Sequence, residues 1–383
     1  MVDASPNSFN SRDRHIFGAG PKRILALEGG GVRGIMSLAF LQRMETLLQD
    51  EHGTQFRLCD WFDLIGGTST GSAIAAGLAL GMSVSELIAI YLDMAKEGFQ
   101  RSAWHGGYIM PKFKTEALRK AIQRHIGDVT LGSPQVRTGL AIVAKRLDTG
   151  SVWVFHNNPC GVYFGKSDRK KGYIANGSLP LAQLVRASTA APTFFLPEHI
   201  NLAPDVSATF VDGGVSPHNN PSLLLFMLAT LKGYGFNWPT GADALSLTSI
   251  GTGYYPLTAS EVPSDWEPSM ILAITSMRSM LDDSNWLVQT MMQWMGMCRA
   301  PWFIDREVGD LSADQLGPSA LFRYERFDIE LTQEWFLERL GLTMGHAELG
   351  QLRAIDDPAM AQRLFDVGMT AAVRQISGLN AIP

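Results

Sequence analysis

Residues 63–73, DLIGGTSTGSA, constrain the fold of this chain more than any other stretch. An apolar run over residues 61–65 leads into Gly67-x-Ser69-x-Gly71, and a segment of small residues follows. This order predicts a strand, a sharp turn and a helix, because glycine on both sides of a serine permits a strained turn that a β-carbon would block. Such a turn holds the serine hydroxyl clear of the backbone, beside the free N–H groups of the helix start. An ordinary Gly/Ser/Thr turn is the alternative.

The composition predicts a folded chain that binds no nucleic-acid polymer. Of its 383 residues, 46% are hydrophobic and 18% charged, which is typical of a globular protein with a substantial core. The net charge is −5, and no block of basic residues is longer than residues 169–171, so a nucleic-acid footprint is missing. Cys59, Cys160 and Cys298 lie far apart, which fits neither a metal cluster nor a disulfide framework and suits a reducing compartment.

Two segments bear on the expected location of the protein. Residues 1–20 are polar and contain no apolar core, which favours a flexible N-terminal lead over a secretory signal. Residues 64–85 contain no charged residue and would be long enough to cross a bilayer, but they are rich in Gly, Ala, Ser and Thr and contain the turn. A buried strand–turn–helix explains them better, so we expect a soluble, cytoplasmic protein.

Strand-like and helix-like segments alternate up to about residue 253, which predicts an α/β sandwich with a largely parallel sheet. The predicted strands are residues 23–27, 61–65, 138–145, 151–155, 208–211 and 245–250. The predicted helices are residues 35–48, 70–81, 83–98, 114–125, 181–188 and 221–232. We expect residues 21–253 to form the core of a single domain, and residues 254–383 to be a mainly helical extension packed on it.

A glycine-rich run, GGGVRG over residues 29–34, follows the first predicted strand. It also fits the G-x-G-x-x-G pattern of dinucleotide-binding proteins, which requires an acidic residue at the end of the next strand. That strand instead ends in Gly-Gly-Thr-Ser at residues 66–69. Consecutive glycines present several backbone N–H groups with no side chains in the way, which favours an oxyanion hole over a nucleotide site.

Asp212 ends a predicted strand and is followed by Gly213 and Gly214. A carboxylate at that position, with glycines that let another group approach, suits a proton acceptor for Ser69. Asp-Gly-Gly is also ordinary turn chemistry, and only the company of the other two motifs favours the pair. His218 would allow a Ser–His–Asp triad, but a polar loop histidine explains it more simply.

The three motifs, residues 29–34, 67–71 and 212–214 in that order, resemble those of the patatin-like phospholipase family. Two further segments also look like parts of that family, residues 186–195 and 219–221. The resemblance covers roughly residues 23–253. It implies a patatin-like three-layer sandwich and lipid acyl hydrolysis by a Ser–Asp dyad, with no catalytic histidine, metal or cofactor.

Carried over by position, the resemblance makes Ser69 the nucleophile and Asp212 the base. The oxyanion hole would be formed by Gly29, Gly30, Gly31, Arg33, Gly34 and Thr70. The supporting glycines would be Gly67, Gly71, Gly213 and Gly214. Arg33 would brace the glycine loop.

The implied substrate is a membrane phospholipid, so the protein would be peripheral to the membrane when active. Bacterial relatives with helical extensions include phospholipases switched on by cyclic nucleotides in anti-phage defence, and the resemblance allows such an activator here. One alternative is a ligand-gated binding or regulatory protein with a vestigial hydrolase site. The other is a nucleotide-binding protein that uses the glycine loop.

Residues 270–297 hold seven of the 17 methionines. Methionine suits surfaces that receive varied apolar partners, so one hypothesis is a mobile cap or membrane-contacting helix. A buried core helix or a homo-oligomer interface is the alternative, and helically spaced methionines favour it. Lys166, Arg169, Lys170 and Lys171 are interpreted as a solvated loop.

Overall fold

The computed structural model describes residues 10–98, 112–165, 172–256 and 269–383. Within these residues, nine strands form one sheet in the order β5-β6-β3-β2-β1-β7-β9-β8, with β4 also paired to β3. The strands are β1 (Lys22–Leu27), β2 (Leu64–Thr68), β3 (Gly139–Arg146), β4 (Val152–His156), β5 (Glu198–Ala203), β6 (Val206–Asp212), β7 (Leu245–Ile250), β8 (Met297–Cys298) and β9 (Arg323–Phe327).

Helices cover both faces of this sheet. In the described residues they are α1 (Ser11–Phe17), α2 (Gly34–His52), α3 (Leu58–Trp61), α4 (Thr70–Ala79), α5 (Val84–Gly98), α6 (Thr115–Ile126), α7 (Leu181–Ser188), α8 (Ser222–Thr230), α9 (Ser269–Met295), α10 (Gln333–Trp335), α11 (His346–Arg353) and α12 (Ala361–Gln375). Alternate side chains of β1 enter different cores, because successive residues of a strand point to opposite faces. Leu25 and Leu27 pack with α2 and α12, whereas Ile24 and Ala26 pack with α8 and α9.

The central strands are parallel. β1 pairs with β2 and β7, β2 with β3, and β7 with β9, all in the same direction. β4, β5 and β6 form the antiparallel part. The predicted α/β sandwich with a mostly parallel sheet is therefore confirmed, and the carboxyl ends of β1, β2 and β7 share one edge.

Two strands meet head-on along one edge of β3. β2 ends where Thr68 pairs with Val143, and β6 ends where Asp212 pairs with Ala144, the next residue of β3. Because β4 occupies the opposite edge of β3, β6 continues the line of β2. The residue after β2 is Ser69, so the sheet itself brings Ser69 and Asp212 together.

The predicted strand over residues 61–65 is wrong at its start. Residues 58–61 form α3, whose turn closes when the Arg57 N–H donates to the Asp60 carboxylate at 3.0 Å. β2 begins only at Leu64, where it pairs with Ile24. β5 was not predicted at all, although its residues alternate between buried and more exposed positions.

Part of the predicted flexible lead is ordered. Residues 11–17 form α1, and Ile16 is buried in the core beneath α8. The Ile16 carbonyl accepts a hydrogen bond from the indole of Trp238 at 2.9 Å. The assignment of residues 11–17 to a flexible lead is therefore corrected, because a buried isoleucine and a buried hydrogen bond fix this helix.

The region after residue 253 is built into the sheet as well as packed on it. β9 pairs with β7, so the sheet continues into a segment that was expected to be mainly helical. α12 packs against α2, where a β-carbon on Gly368 would lie 2.8 Å from that of Ala39. The region expected to be mainly helical therefore also supplies a strand to the sheet, residues 323–327.

The methionine-rich helix α9 belongs to the core at its C-terminal end. Met292 and Met295 are buried with α8, whereas Met280 is 68% exposed. The core interpretation therefore holds for the C-terminal end of α9. The side chains of Met270 and Met277, and all of Lys166 and residues 169–171, lie outside the described residues. Among the helices of the described chain, none combines the length and apolarity needed to cross a bilayer.

Candidate active site

Ser69 occupies the turn between β2 and α4 with φ 53° and ψ −128°. A non-glycine residue at positive φ costs on the order of 1–3 kcal/mol and persists only where its surroundings hold it. The turn also brings its two glycines into contact, since a β-carbon on Gly67 would lie 2.2 Å from the Gly71 carbonyl oxygen. The structure thus has the sharp strand–turn–helix that the sequence predicted.

Ser69 and Asp212 are hydrogen-bonded. The Ser69 Oγ donates to Asp212 Oδ2 at 2.5 Å. The other carboxylate oxygen, Oδ1, accepts the N–H of Gly214 at 2.7 Å. Gly213 passes so close to β3 that a β-carbon on it would lie 2.4 Å from the Val143 carbonyl oxygen. The Asp-Gly-Gly turn therefore orients the carboxylate toward the serine.

The Asp212 carboxyl has the burial and the pKa that its predicted role as a base requires. It is only 5% exposed, and this burial raises its pKa to about 6. The hydrogen bonds from Ser69 and Gly214 and the charge of Arg186 act in the opposite direction and favour the ionised form. A carboxylate whose pKa lies just below neutral accepts a proton more readily than an exposed one and remains ionised at pH 7.

Arg186 stands behind this carboxylate in the core. It is 1% exposed, donates from Nη2 to the Leu196 carbonyl at 2.7 Å and lies 5.6 Å from the ring centre of Phe195. Burial lowers its pKa to about 10, so it stays charged at neutral pH. The sequence marked residues 186–195 as family-like, but gave no role to this charge.

The glycine loop passes directly against the serine. A β-carbon on Gly29 would lie 2.8 Å from that of Ser69 and 2.6 Å from Oδ1 of Asn219. Gly31 has φ 58°, and a β-carbon there would lie 2.2 Å from the Ile355 carbonyl oxygen. Only glycine fits both positions, which explains the composition of the loop.

Most amides of the predicted oxyanion hole are already used. The Gly30 N–H donates to Thr70 Oγ1 at 3.2 Å, and the Arg33 N–H donates to the Gly30 carbonyl at 3.2 Å. The Gly29 N–H donates to the Asn219 carbonyl at 3.4 Å. The Gly34 N–H donates to the carbonyls of Gly31 and Val32 within the loop. These four residues shape the loop.

Two amides are left beside the serine. Within the described part of the chain, neither the Gly31 N–H nor the Thr70 N–H meets an acceptor, and both residues line the same cavity as Ser69. Thr70 also begins α4, whose positive dipole end favours a developing negative charge. Of the predicted donors, Gly31 and Thr70 are therefore the ones free to hold an oxyanion.

The basic residue that anchors the glycine loop is Arg326, which pairs with the residue before the loop. Glu28, the residue before the loop, is 5% exposed and accepts from Arg326 Nη1 at 2.5 Å, while Arg326 Nη2 donates to Asp328 Oδ2 at 2.6 Å. The sequence analysis gave bracing to Arg33, which lines the cavity. It missed Arg326, which comes from β9 and is almost three hundred residues away from Glu28.

Ser188 is a further site residue without a predicted role. Its hydroxyl accepts the Ser69 N–H at 2.9 Å and donates to the Val143 carbonyl at 2.6 Å, and its side chain is fully buried. It therefore ties the strained turn to β3. It lies in the segment that resembles the family, which is the only signal that the sequence offers.

A cavity of about 960 Å³ opens onto Ser69 and Asp212, and two kinds of surface line it. One wall is apolar and comes from α4, α5, α6 and the loop after α7: Ala73, Met94, Ala95, Leu118, Phe194 and Phe195. The other is aromatic and charged and comes from the region after residue 253: Tyr254, Asp282, Asp283, Trp286, Trp302 and Arg353.

His218 does not belong to this site. Its side chain does not line the cavity, burial lowers its pKa, and its Nδ1 makes no hydrogen bond within the described residues. Its carbonyl oxygen instead accepts from the hydroxyl of Thr68 at 2.6 Å. In the described chain, no group of three or more His, Cys, Asp or Glu side chains is placed to hold a metal ion.

A comparison with known families identifies the family of this chain. The family model described as patatin-like phospholipase matches residues 25–226, which is more than half of the chain. The chain therefore belongs to the patatin-like phospholipase family. The match ends before Tyr254, so it does not extend to the aromatic wall of the cavity.

Three relatives show the extent of the similarity. The chain is 33% identical to a cGAMP-activated phospholipase of Escherichia coli (strain TW11681), over 53% of this chain and 54% of that protein. It is 30% identical to a cUMP-AMP-activated phospholipase of Escherichia coli, over 61% and 65%, and 29% identical to Patatin group J-1 of Solanum tuberosum, over 54% and 53%. The matches thus span little more than half of the first relatives' length.

Proposed function

We propose that this chain is a serine lipid acyl hydrolase of the phospholipase A type that cleaves fatty-acyl esters of membrane phospholipids. The observation that carries the proposal is the 2.5 Å hydrogen bond between Ser69 Oγ and the buried carboxylate of Asp212. It lies at a strained turn, next to two free amides and a cavity with an apolar wall. A nucleophile, a base and oxyanion donors within one cavity are what acyl transfer requires.

The reaction would run through an acyl-enzyme. Asp212 takes the proton of Ser69 as Oγ bonds to the ester carbon, and the amides of Gly31 and Thr70 hold the oxyanion. The proton then passes to the leaving alkoxide as the ester C–O bond breaks. In the second half, Asp212 takes a proton from water, the hydroxide attacks the acyl carbon, and Ser69 Oγ leaves with the proton, which releases the fatty acid.

The two regions of the chain would share the substrate. Residues 21–253 carry the dyad and the apolar wall, which suits the acyl chain, and residues 254–383 complete the cavity. The protein would act at the surface of a membrane from the cytoplasm, where its three free cysteines stay reduced. The names of two bacterial relatives include cGAMP-activated and cUMP-AMP-activated, which supports a cyclic nucleotide as activator of this chain too.

The test is release of free fatty acid from mixed phospholipid vesicles by the wild type, Ser69→Ala and Asp212→Ala. Assays would contain chelator and run with and without a panel of cyclic nucleotides. We expect chelator-resistant activity that both substitutions lower at least a thousandfold, because the dyad acts as one unit. Full activity of Asp212→Ala would refute the dyad.

A binding or regulatory protein with a vestigial site is the competing function. A fluorophosphonate probe separates the two, since only an activated serine reacts with it. Labelling of the wild type but not of Ser69→Ala supports the hydrolase. A folded wild type that neither labels nor releases fatty acid with any nucleotide would favour the binding protein.

A further inference from the structure

Three aromatic rings form a box in the cavity, beyond the part of the chain that the family model matches. Tyr254 and Trp286 have ring centres 5.4 Å apart at an interplanar angle of 84°, and Tyr254 and Trp302 have ring centres 5.8 Å apart at 72°. All three rings line the cavity that contains Ser69. Rings at right angles to one another present negative π faces on more than one side of a small group.

Two hydrogen bonds anchor this aromatic box, one to the glycine loop and one to Asn220. Thr252, two residues before Tyr254, donates from Oγ1 to the Gly29 carbonyl at 3.1 Å. Asn285, next to Trp286, accepts the N–H of Asn220 at 3.2 Å. The rings are therefore held in a fixed relation to the loop that passes against Ser69.

The surroundings of the box are anionic. The hydroxyl of Tyr254 donates to Glu330 Oε2 at 3.0 Å, which enriches the ring in electron density. Asp282 and Asp283, on the turn of α9 before Trp286, line the same cavity. A positive group that lies against the open faces of these rings would thus gain both from the ring faces and from the carboxylates.

Two guanidinium groups that line the cavity are already engaged. Arg326 lies between Glu28 and Asp328, as described above. Arg353 donates to the Leu331 carbonyl at 2.9 Å and stacks 4.4 Å from the ring centre of Tyr255. Neither side chain occupies the box formed by Tyr254, Trp286 and Trp302.

We propose that the aromatic box binds the ammonium group of a phospholipid headgroup, choline or ethanolamine, while the ester lies at Ser69. This proposal rests on the proposed function and adds the headgroup class to it. Aromatic rings with neighbouring carboxylates are suited to alkylated ammonium groups. A nucleotide base would also stack on such rings, but it carries no positive charge for Asp282 and Asp283 to attract.

The first test needs no catalysis. Ser69→Ala protein would be titrated with phosphocholine and with 3,3-dimethylbutyl phosphate, in which carbon replaces the charged nitrogen at the same shape. We expect phosphocholine to bind about tenfold more tightly, as measured by calorimetry, because only the charged group gains from the π faces. Equal affinity for the two compounds would overturn the proposal, as would tighter binding of cGAMP in the box.

Variants of one helix supply the control. Trp286→Leu removes a ring face but keeps an apolar side chain, so it should abolish the preference for phosphocholine, whereas Trp286→Phe should keep part of it. Trp294→Leu removes an indole from the same helix outside the cavity and should change nothing. Equal effects of Trp286→Leu and Trp294→Leu would refute the box.

Turnover gives the second test. With matched acyl chains in mixed micelles, the wild type should prefer phosphatidylcholine or phosphatidylethanolamine over phosphatidylglycerol, and Asp282→Asn with Asp283→Asn should lower that ratio severalfold. A short neutral ester serves as the reference substrate. A uniform loss on all substrates would contradict headgroup recognition. If the wild type cleaves neither lipid nor ester, the proposed function fails, while the phosphocholine titration still decides the box.

Discussion

Asp212 is a residue at which activity and stability have opposite requirements. As the proposed base it must be ionised, yet its burial raises its pKa to about 6, from 3.8. The folded state therefore binds the proton more tightly than the unfolded chain does. The stabilisation that this proton gives is present below pH 4 and is lost as the pH rises through 6.

We expect Asp212→Asn to be inactive and more stable than the wild type at pH 8. The amide can accept from the Gly214 N–H and donate to Ser69 Oγ, so both hydrogen bonds persist without a buried charge. The shift in pKa corresponds to about 3 kcal/mol in the free energy of unfolding. Urea titrations should show this gain at pH 8, less of it at pH 6 and none at pH 4.

The control for this substitution is Asp205→Asn, which changes an exposed carboxylate and should leave the urea midpoint unchanged. In the wild type, kcat/KM should fall as the pH drops below about 6, because the base becomes protonated. If Asp212→Asn were less stable than the wild type at pH 8, the ionised carboxylate would stabilise the folded protein. Its proposed role as a base that burial destabilises would then be wrong.

At the scale of the element, the turn at Ser69 is held in place by Ser188, a residue of α7. Ser188→Ala would leave the buried Ser69 N–H without an acceptor, at a cost of about 1–3 kcal/mol. Because the turn holds Ser69 at φ 53°, we expect the backbone to relax and the rate of fluorophosphonate labelling to fall at least tenfold.

Ser72→Ala is the matched control for Ser188→Ala. It too removes a buried hydroxyl that bonds to the backbone of Ser69, at 2.6 Å. The Ser69 carbonyl would nevertheless keep the N–H of Ser72, at 2.9 Å. Labelling by the two variants at a temperature where both are folded separates positioning from stability. Equal labelling rates would show that Ser188 only stabilises the protein.

Local backbone demands explain which elements the sequence predicted. The turn at Ser69 and the Asp-Gly-Gly turn both require glycine at fixed spacing, so the sequence predicts them directly. The strand over residues 245–250 and the helix over residues 181–188 were predicted with their observed bounds, since their apolar patterns are continuous. The start of β2 was misplaced because Trp61 and Phe62 suit a strand, whereas a hydrogen bond to Asp60 closes a helical turn there.

Contacts between distant parts of the chain explain what the sequence could not predict. The four engaged amides of the glycine loop differ from the two free ones only through partners such as Thr70 and Asn219. Nothing local to β9 indicates that Arg326 pairs with Glu28, and nothing near Tyr254 indicates that it meets Trp286 and Trp302. Such pairings depend on the order of strands in the sheet and leave no pattern in a single sequence.

At the scale of the whole molecule, the region after residue 253 stabilises the glycine loop through one buried ion cluster. Arg326 neutralises both Glu28 and Asp328, and all three side chains are at most 8% exposed. Burial alone would raise the pKa of Glu28, and the guanidinium opposes this. The glycine loop beside Ser69 is thus held by β9, a strand that lies far from it in the sequence.

Arg326→Met should destabilise the protein by about 3–5 kcal/mol, because it leaves two carboxylates buried without a cation. Arg323→Met is the control in the same strand, since Arg323 pairs at 2.8 Å with Asp243, whose side chain is 96% exposed, and such a pair contributes at most about 1 kcal/mol. Adding Glu28→Gln and Asp328→Asn to Arg326→Met should restore much of the loss, because the unpaired charges disappear.

In urea, activity and tryptophan fluorescence of Arg326→Met should be lost together at a lower midpoint. If Arg326→Met were no less stable than Arg323→Met, or if activity were lost before the fluorescence changed, residues 254–383 would not share a cooperative core with the catalytic region.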